Sequence, residues 1–250
     1  MISLKNFSIG YDGKPLLLDN VSIDIPSGSL TSLIGRNGSG KSTLLRAISG
    51  LNGSYHGEIT VGSHNLKSLS TLKLAKTLSI VTTRTPRISD LSVSEVVALG
   101  RTPYTDWIGR LAPHDHEIVD QALIAVDMQS YSRRKLTSLS DGECQRVMIA
   151  RAIAQQTPVI LLDEPTSFLD MPNRYDLALL LADLAHNYGK TIIFSTHELD
   201  IAVNMTDNTA LISDRTIHLM PSDKMRHSPL LNHMLGSTEA ADIILDRIQK

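Results

Sequence analysis

The sequence predicts an α/β chain in which a mixed sheet carries an N-terminal antiparallel β-subdomain and an inserted helical subdomain. Three observations carry that prediction. SLKNFSI and NVSIDI alternate apolar with polar residues, as antiparallel strands with one wet face do. LTSLIG, VILLD and TIIFS are short runs of nearly continuous apolar or β-branched residues, the pattern of parallel strands covered on both faces. Residues 86–155 hold three helix-like runs and no convincing strand. The expected organisation is one domain over 1–250, with 1–85 and 156–250 forming the core with its β-subdomain and 86–155 the helical subdomain.

Bulk properties narrow the function classes. A chain of 250 residues that is 42% hydrophobic can bury a proper core. A net charge of −2 without long Lys/Arg runs leaves no electrostatic footprint for nucleic acid, which is not an expected partner. The opening MISLKNFSIGYDGK lacks the apolar core of a secretory signal, and no window reaches 18 uninterrupted apolar residues, so a cytoplasmic location is expected. The single cysteine, Cys144, excludes an internal disulfide and any cysteine metal cage; it is expected to be a small packed thiol.

In chain order, the two alternating strands lead to LTSLI, which is followed by GRNGSGKST and the helix-like STLLRAIS. Gly35, Gly40, Lys41 and Ser42 fit G-x-x-x-x-G-K-[ST] between a strand and a helix, the setting that motif needs. Such a loop turns backbone N–H groups inward around phosphate at the positive end of the helix. The cradle is expected to comprise Gly35, Arg36, Asn37, Gly38, Ser39, Gly40, Lys41, Ser42 and Thr43, with Lys41 on the β- and γ-phosphates and Ser42 on Mg²⁺. The core is therefore expected to be that of a P-loop NTPase.

The next stretch, residues 79–107, starts as a buried strand and turns polar up to Pro86. It then becomes helix-like and stops at Gly100-Arg101-Thr102-Pro103-Tyr104. Helical spacing returns at 116–126 and 143–154. The apolar VILLD then ends in Asp163, placing a carboxylate at the edge of the sheet where the phosphate loop opens, suited to holding Mg²⁺. Glu164 beside it is the candidate to orient or deprotonate a water. Residues 174–186 read as another helix and TIIFS as the last parallel strand.

Leu139-Ser140-Asp141-Gly142-Glu143, placed before a helix, resembles the signature motif of ATP-binding cassette proteins, Leu-Ser-Gly-Gly-Gln in consensus. The resemblance covers nearly the whole chain. Tyr11, the phosphate loop, the signature, the acidic strand end, SFLD (Ser167 to Asp170) and STH ending in His197 follow in the family's order. It implies that Tyr11 stacks on adenine, and that Ser140 and the Gly142 N–H reach the γ-phosphate of ATP held by a second copy. His197 would contact the γ-phosphate and position water with Glu164, and Asp170 would cross the dimer interface. Lys41, Glu164 and His197 are thus the catalytic candidates, with ATP and Mg²⁺ as cofactors.

Two departures from the family stand out. Asp141 replaces a glycine and adds negative charge beside a phosphate site. Thr83 stands where the family has a glutamine that meets Mg²⁺ and water; its hydroxyl offers an oxygen but is shorter by two heavy atoms. Beyond Thr83, Gly100, Arg101, Pro103 and Tyr104 resemble a Gly-Arg-x-Pro-aromatic segment of importers for iron-siderophores, haem and cobalamin. There, a helix of the membrane subunit would dock beside residues 83–104. The resemblance therefore implies the ATP-hydrolysing subunit of an importer, most of all for a siderophore or haem. It would work as a homodimer with two membrane-spanning permease subunits and a solute-binding protein acting on them, peripheral at the cytoplasmic face of the inner membrane. The alternatives are a cobalamin importer ATPase, a non-transport cassette ATPase or a nucleotide-dependent regulator.

Overall fold

In the computed structural model, which describes every residue except Asp12, 84–89, 237–243, 246–247 and 249–250, two sheets meet across a layer of apolar side chains. The chain runs β1 (Ile2–Ile9), β2 (Leu18–Ile25), β3 (Leu30–Gly35), α1 (Lys41–Ile48), β4 (Tyr55–Val61), β5 (His64–Asn65), α2 (Thr71–Thr77) and β6 (Leu78–Val81). It continues through α3 (Val93–Ala98), α4 (Pro113–Ala125), α5 (Asp141–Ala154), β7 (Val159–Asp163), α6 (Met171–His186), β8 (Thr191–Ser195) and α7 (Leu199–Asn204). A hairpin of β9 (Asn208–Ser213) and β10 (Thr216–Pro221), then α8 (Ser222–Arg226) and α9 (Pro229–Leu235), complete the described elements. The turn expected at Pro86, and with it the boundary expected at 85/86, lies outside the described residues.

The small sheet has the order β2-β1-β4-β5 and is antiparallel. The large sheet has the order β10-β9-β3-β8-β7-β6; its strands are parallel except for the edge strand β10. Alternation within the parallel strands feeds two cores. Ile160, Leu162, Ile192 and Phe194 join the apolar faces of α3 to α6, whereas Val159, Leu161 and Ile193 join α1 and the small sheet. Burial on both sides is why these strands read as unbroken apolar runs. Cys144 is buried in the first of these cores.

The Gly-Arg-x-Pro-Tyr segment, expected near a membrane partner, is built around a buried arginine, with Thr102 exposed and Pro103 and Tyr104 half-buried. Arg101 is 2% exposed. Its Nε donates to Asp115 Oδ1 at 2.8 Å, and its Nη1 donates to the Ala154 carbonyl at 2.7 Å and to Gln156 Oε1 at 3.1 Å. The Tyr104 hydroxyl donates to the Gln155 carbonyl, and the Tyr104 ring lies under the Arg101 guanidinium. Gly100 approaches so closely that a Cβ there would come within 2.3 Å of the Arg151 carbonyl oxygen. Together they satisfy carbonyls left open at the C-terminal end of α5, which no further turn of helix could reach. Gln155 extends the joint by donating to the carbonyls of Ala75 and Leu78 at the junction of α2 and β6.

Asp115 anchors this joint from α4. Burial opposes its ionisation, but hydrogen bonds from Arg101 and the Ala112 N–H, with the attraction of Arg101, hold its carboxyl below the ordinary value of 3.8. The stability it contributes is complete above that value and is lost as pH falls from there through the depressed folded value. Urea titrations are expected to show wild type losing more stability than Asp115→Asn between about pH 5 and pH 3. At neutral pH, Arg101→Ala should cost about 3–5 kcal/mol, because it strands a buried carboxylate.

Candidate functional site

β3 delivers the chain into the phosphate loop at the C-terminal edge of the large sheet, and α1 leaves it. Gly40 caps α1 at φ 107°, a backbone geometry hostile to side chains, and a Cβ there would also press on Leu17. Lys41 is 6% exposed and folds back over the loop, donating to the Gly35 carbonyl at 2.9 Å and the Arg36 carbonyl at 3.4 Å. Burial lowers its pKa, while Glu164 and Asp163 pull it back up. The loop thus holds a desolvated ammonium on neutral carbonyls, poised to exchange them for an anion.

The strand register supplies the next groups. Parallel pairing of β7 with β8 sets Asp163 opposite Ser195. Ser195 Oγ donates to Asp163 Oδ1 at 2.8 Å and accepts the Glu164 N–H at 2.9 Å. Ser42 Oγ donates to the same Asp163 oxygen at 2.9 Å, joining the phosphate loop to β7. Ser42 and Asp163 form a pair of hard oxygen donors. Among the described residues no group of three or more His, Cys, Asp or Glu suits a metal. A cation between Ser42 and Asp163 would take its other ligands from phosphate and water, the habit of Mg²⁺.

Glu164 lies just past the strand with φ 51°, a left-handed backbone that costs a non-glycine residue about 1–2 kcal/mol. Its Oε1 is 2.8 Å from His197 Nε2, and both side chains keep contact with solvent. A carboxylate paired with an imidazole in this way can hold a water and take its proton.

Tyr11 is 54% exposed, and its hydroxyl shares a hydrogen bond with Thr43 Oγ1 at 3.0 Å, which sets the ring beside the mouth of the loop. The Thr83 hydroxyl donates to the Asp163 carbonyl at 3.1 Å, so it touches the same strand end through the main chain. Phosphate loop, Asp163, Glu164, His197, Tyr11 and Thr83 are therefore brought together.

Ser140, Gly142 and Asp170 line a different cleft of about 540 Å³, with Tyr131, Arg146 and Phe168. Ser140 caps α5 in a reciprocal box: its Oγ accepts the Glu143 N–H, and its own N–H donates to Glu143 Oε2 at 2.8 Å. That backbone bond, opposed by burial and aided by the Ser140 hydroxyl, lowers the Glu143 pKa. Gly142 packs against the Phe168 carbonyl, which a Cβ would meet at 3.1 Å. Asp170 caps α6 by accepting the Asn173 N–H. Sequence reasoning missed Ser195; the signal available was that β7 and β8 are parallel runs of equal length whose ends align.

Comparison with known proteins adds four results. The family model described as ABC transporter matches residues 18–167. A petrobactin import ATP-binding protein of Bacillus anthracis is 35% identical over 217 residues, 87% of this chain and 79% of that one. An iron(3+)-hydroxamate import ATP-binding protein of Bacillus subtilis is 35% identical over 216 residues, covering 86% and 80%. Among solved structures, a dimeric ATP-binding cassette in a post-hydrolysis state with ADP and phosphate superposes with a TM-score of 0.78 at 27% identity, covering 89% of this chain and 99% of that one.

The lowered Lys41 pKa has a measurable consequence. Phosphate binding favours the charged amine, so affinity is greatest where Lys41 is protonated and falls as pH rises through its depressed value. Calorimetric titration with ATP should show weakening on the alkaline side, below the ordinary lysine value of 10.5. Lys41→Met should bind about tenfold to a hundredfold more weakly and lose that slope.

Proposed function

Because this chain belongs to the ABC transporter family as an ATP-hydrolysing subunit, we propose that it powers import of an iron complex, a siderophore or haem chelate, through a membrane-spanning permease. The names of the petrobactin and iron-hydroxamate relatives support the cargo. Among the described residues no helix is long and apolar enough to cross a membrane, so the pathway is assigned to two permease subunits. On this reading the chain works at the inner face of the membrane, and a solute-binding protein loads the permease from the other side.

The observation that carries the reading is the His197–Glu164 pair set beside Ser42, Asp163 and the phosphate loop. Lys41 leaves its two carbonyls and takes the β- and γ-phosphates, while Tyr11 stacks on the adenine. Ser42 and Asp163 would hold Mg²⁺, which neutralises charge developing on the phosphates; Thr83 contributes at most an oxygen beside them. Glu164 takes the proton of the attacking water, and His197 holds that carboxylate and the γ-phosphate in line.

The Ser140–Gly142 cleft is separate from the phosphate loop, so a second copy would close the site head to tail, with Asp170 at the seam. The Ser140 hydroxyl can keep accepting the Glu143 N–H while it turns its proton toward phosphate. Asp141 and Glu143 both stand in the first turn of α5, so closure brings two carboxylates toward the triphosphate. That repulsion makes reopening easy and ATP affinity modest.

The test uses the purified full-length chain with Mg²⁺ and ATP. Glu164→Gln should lower turnover by about 10²-fold or more and trap an ATP-bound dimer visible by light scattering. Thr83→Ala should lose far less; an equal loss would overturn the reading of Thr83 as peripheral. Reconstituted with its permease, the protein should drive uptake of a ferric siderophore or haem. Uptake of cobalamin instead would replace the proposed cargo.

A further inference from the structure

Glu198, one residue past His197, gathers the two loops that carry the hydrolytic pair. Its Oε2 accepts the hydroxyls of Thr166 and Thr196 at 2.5 Å each, and its Oε1 meets Arg174 Nη1 at 3.0 Å. The Glu198 N–H donates back to Thr196 Oγ1 at 3.0 Å. Thr166 and Thr196 are 3% and 1% exposed. One stands two residues past Glu164 and the other directly before His197. Arg174 continues the tie: its Nε donates to the Leu169 carbonyl at 2.8 Å. Leu169 closes a run of turns that begins at Glu164, through Ser167 N–H to the Glu164 carbonyl and Leu169 N–H to the Thr166 carbonyl.

A carboxylate only accepts, so both threonine hydroxyls must aim their protons at one oxygen, which fixes their rotamers. Glu164 needs such fixing. Its left-handed backbone persists only if the surroundings over-determine it, and Ser195 secures only its N–H side. Glu198 secures the other side through Thr166 and holds the His197 turn to it through Thr196.

We propose that Glu198 is a positioning residue for hydrolysis, locking the Glu164 and His197 loops at the separation their hydrogen bond requires and passing that lock through Arg174 to residues 166–169. The inference rests on the reading of Glu164 and His197 as the hydrolytic pair. Because residues 168–169 pack on Gly142, the same carboxylate also ties that pair to the start of α5.

The experiment is steady-state hydrolysis of Mg²⁺-ATP by the full chain carrying Glu198→Ala or Glu198→Gln, each with and without His197→Ala, alongside thermal unfolding. Glu198→Ala should lower kcat by about tenfold to a hundredfold while KM stays within about twofold, because Lys41, Ser42 and Tyr11, which carry most of the ATP contacts, are untouched. Glu198→Gln keeps the shape and one acceptor, and should fall several-fold while melting like wild type; it carries the test if the alanine variant does not fold. With His197→Ala in place, the further loss from Glu198→Ala should shrink to less than about threefold, since the pair is already broken. Full activity of Glu198→Gln, losses that multiply with His197→Ala, or a rise in KM that tracks thermal destabilisation would each overturn the role of Glu198. Absence of turnover in the wild type would instead overturn the hydrolytic reading beneath it.

Discussion

One oxygen atom organises the nucleotide site. Asp163 Oδ1 accepts the hydroxyl protons of Ser42 and Ser195 together, so the helix after the phosphate loop and two parallel strands converge on it. That convergence depends on strand register, because a slip of one residue between β7 and β8 would send the Asp163 side chain to the opposite face of the sheet. The apolar runs on both faces forbid such a slip, since it would exchange residues between two packed cores. The hydrophobic pattern of VILLD is therefore what fixes a polar contact at its end. Glu164 follows directly, its N–H taken by the same serine and its backbone forced left-handed.

The helical insertion is fastened by a second polar knot with different physics. Arg101 is nearly sealed from water, and its charge is matched by Asp115 while its Nη1 donates to a helix-end carbonyl and a glutamine. Breaking such a buried pair costs more than the pair contributes, which makes the joint intolerant of substitution without making it a large source of stability. At its N-terminal end α5 carries a capping box open to solvent, backed by Gly142 on residues 168–169 and by Cys144 and Val147 in the core.

What the sequence made legible follows from how local each feature is. The phosphate loop and the acidic strand end are contiguous motifs, so their residues could be named before their contacts were known. Strands β3, β7 and β8 announced themselves because burial on both faces leaves only small hydroxyl residues and a terminal Asp163 among the apolar ones. Strands β4 and β10 did not, since His56, Gly57, Glu58 and His218 interrupt their apolar alternation at positions that face outward or lie at an edge. Ser195 escaped notice because its partner is 32 residues away and only register joins them. Arg101 and Tyr104 were placed near a membrane partner by the resemblance of their segment to that of importers, and nothing local to them announces a buried arginine. Its burial depends on Asp115 and on the end of α5, 14 and 53 residues further on.

If the helical insertion rotates as a body, α5 is its lever. Fourteen residues at 1.5 Å each give an arm of about 21 Å between the Arg101 knot and Ser140. A tilt of only about 5° about the fixed end would carry the Ser140 hydroxyl roughly 2 Å, the difference between a hydrogen bond and an empty gap. Small angular changes at the Arg101 knot would thereby be magnified into the making or losing of the phosphate contact proposed for Ser140.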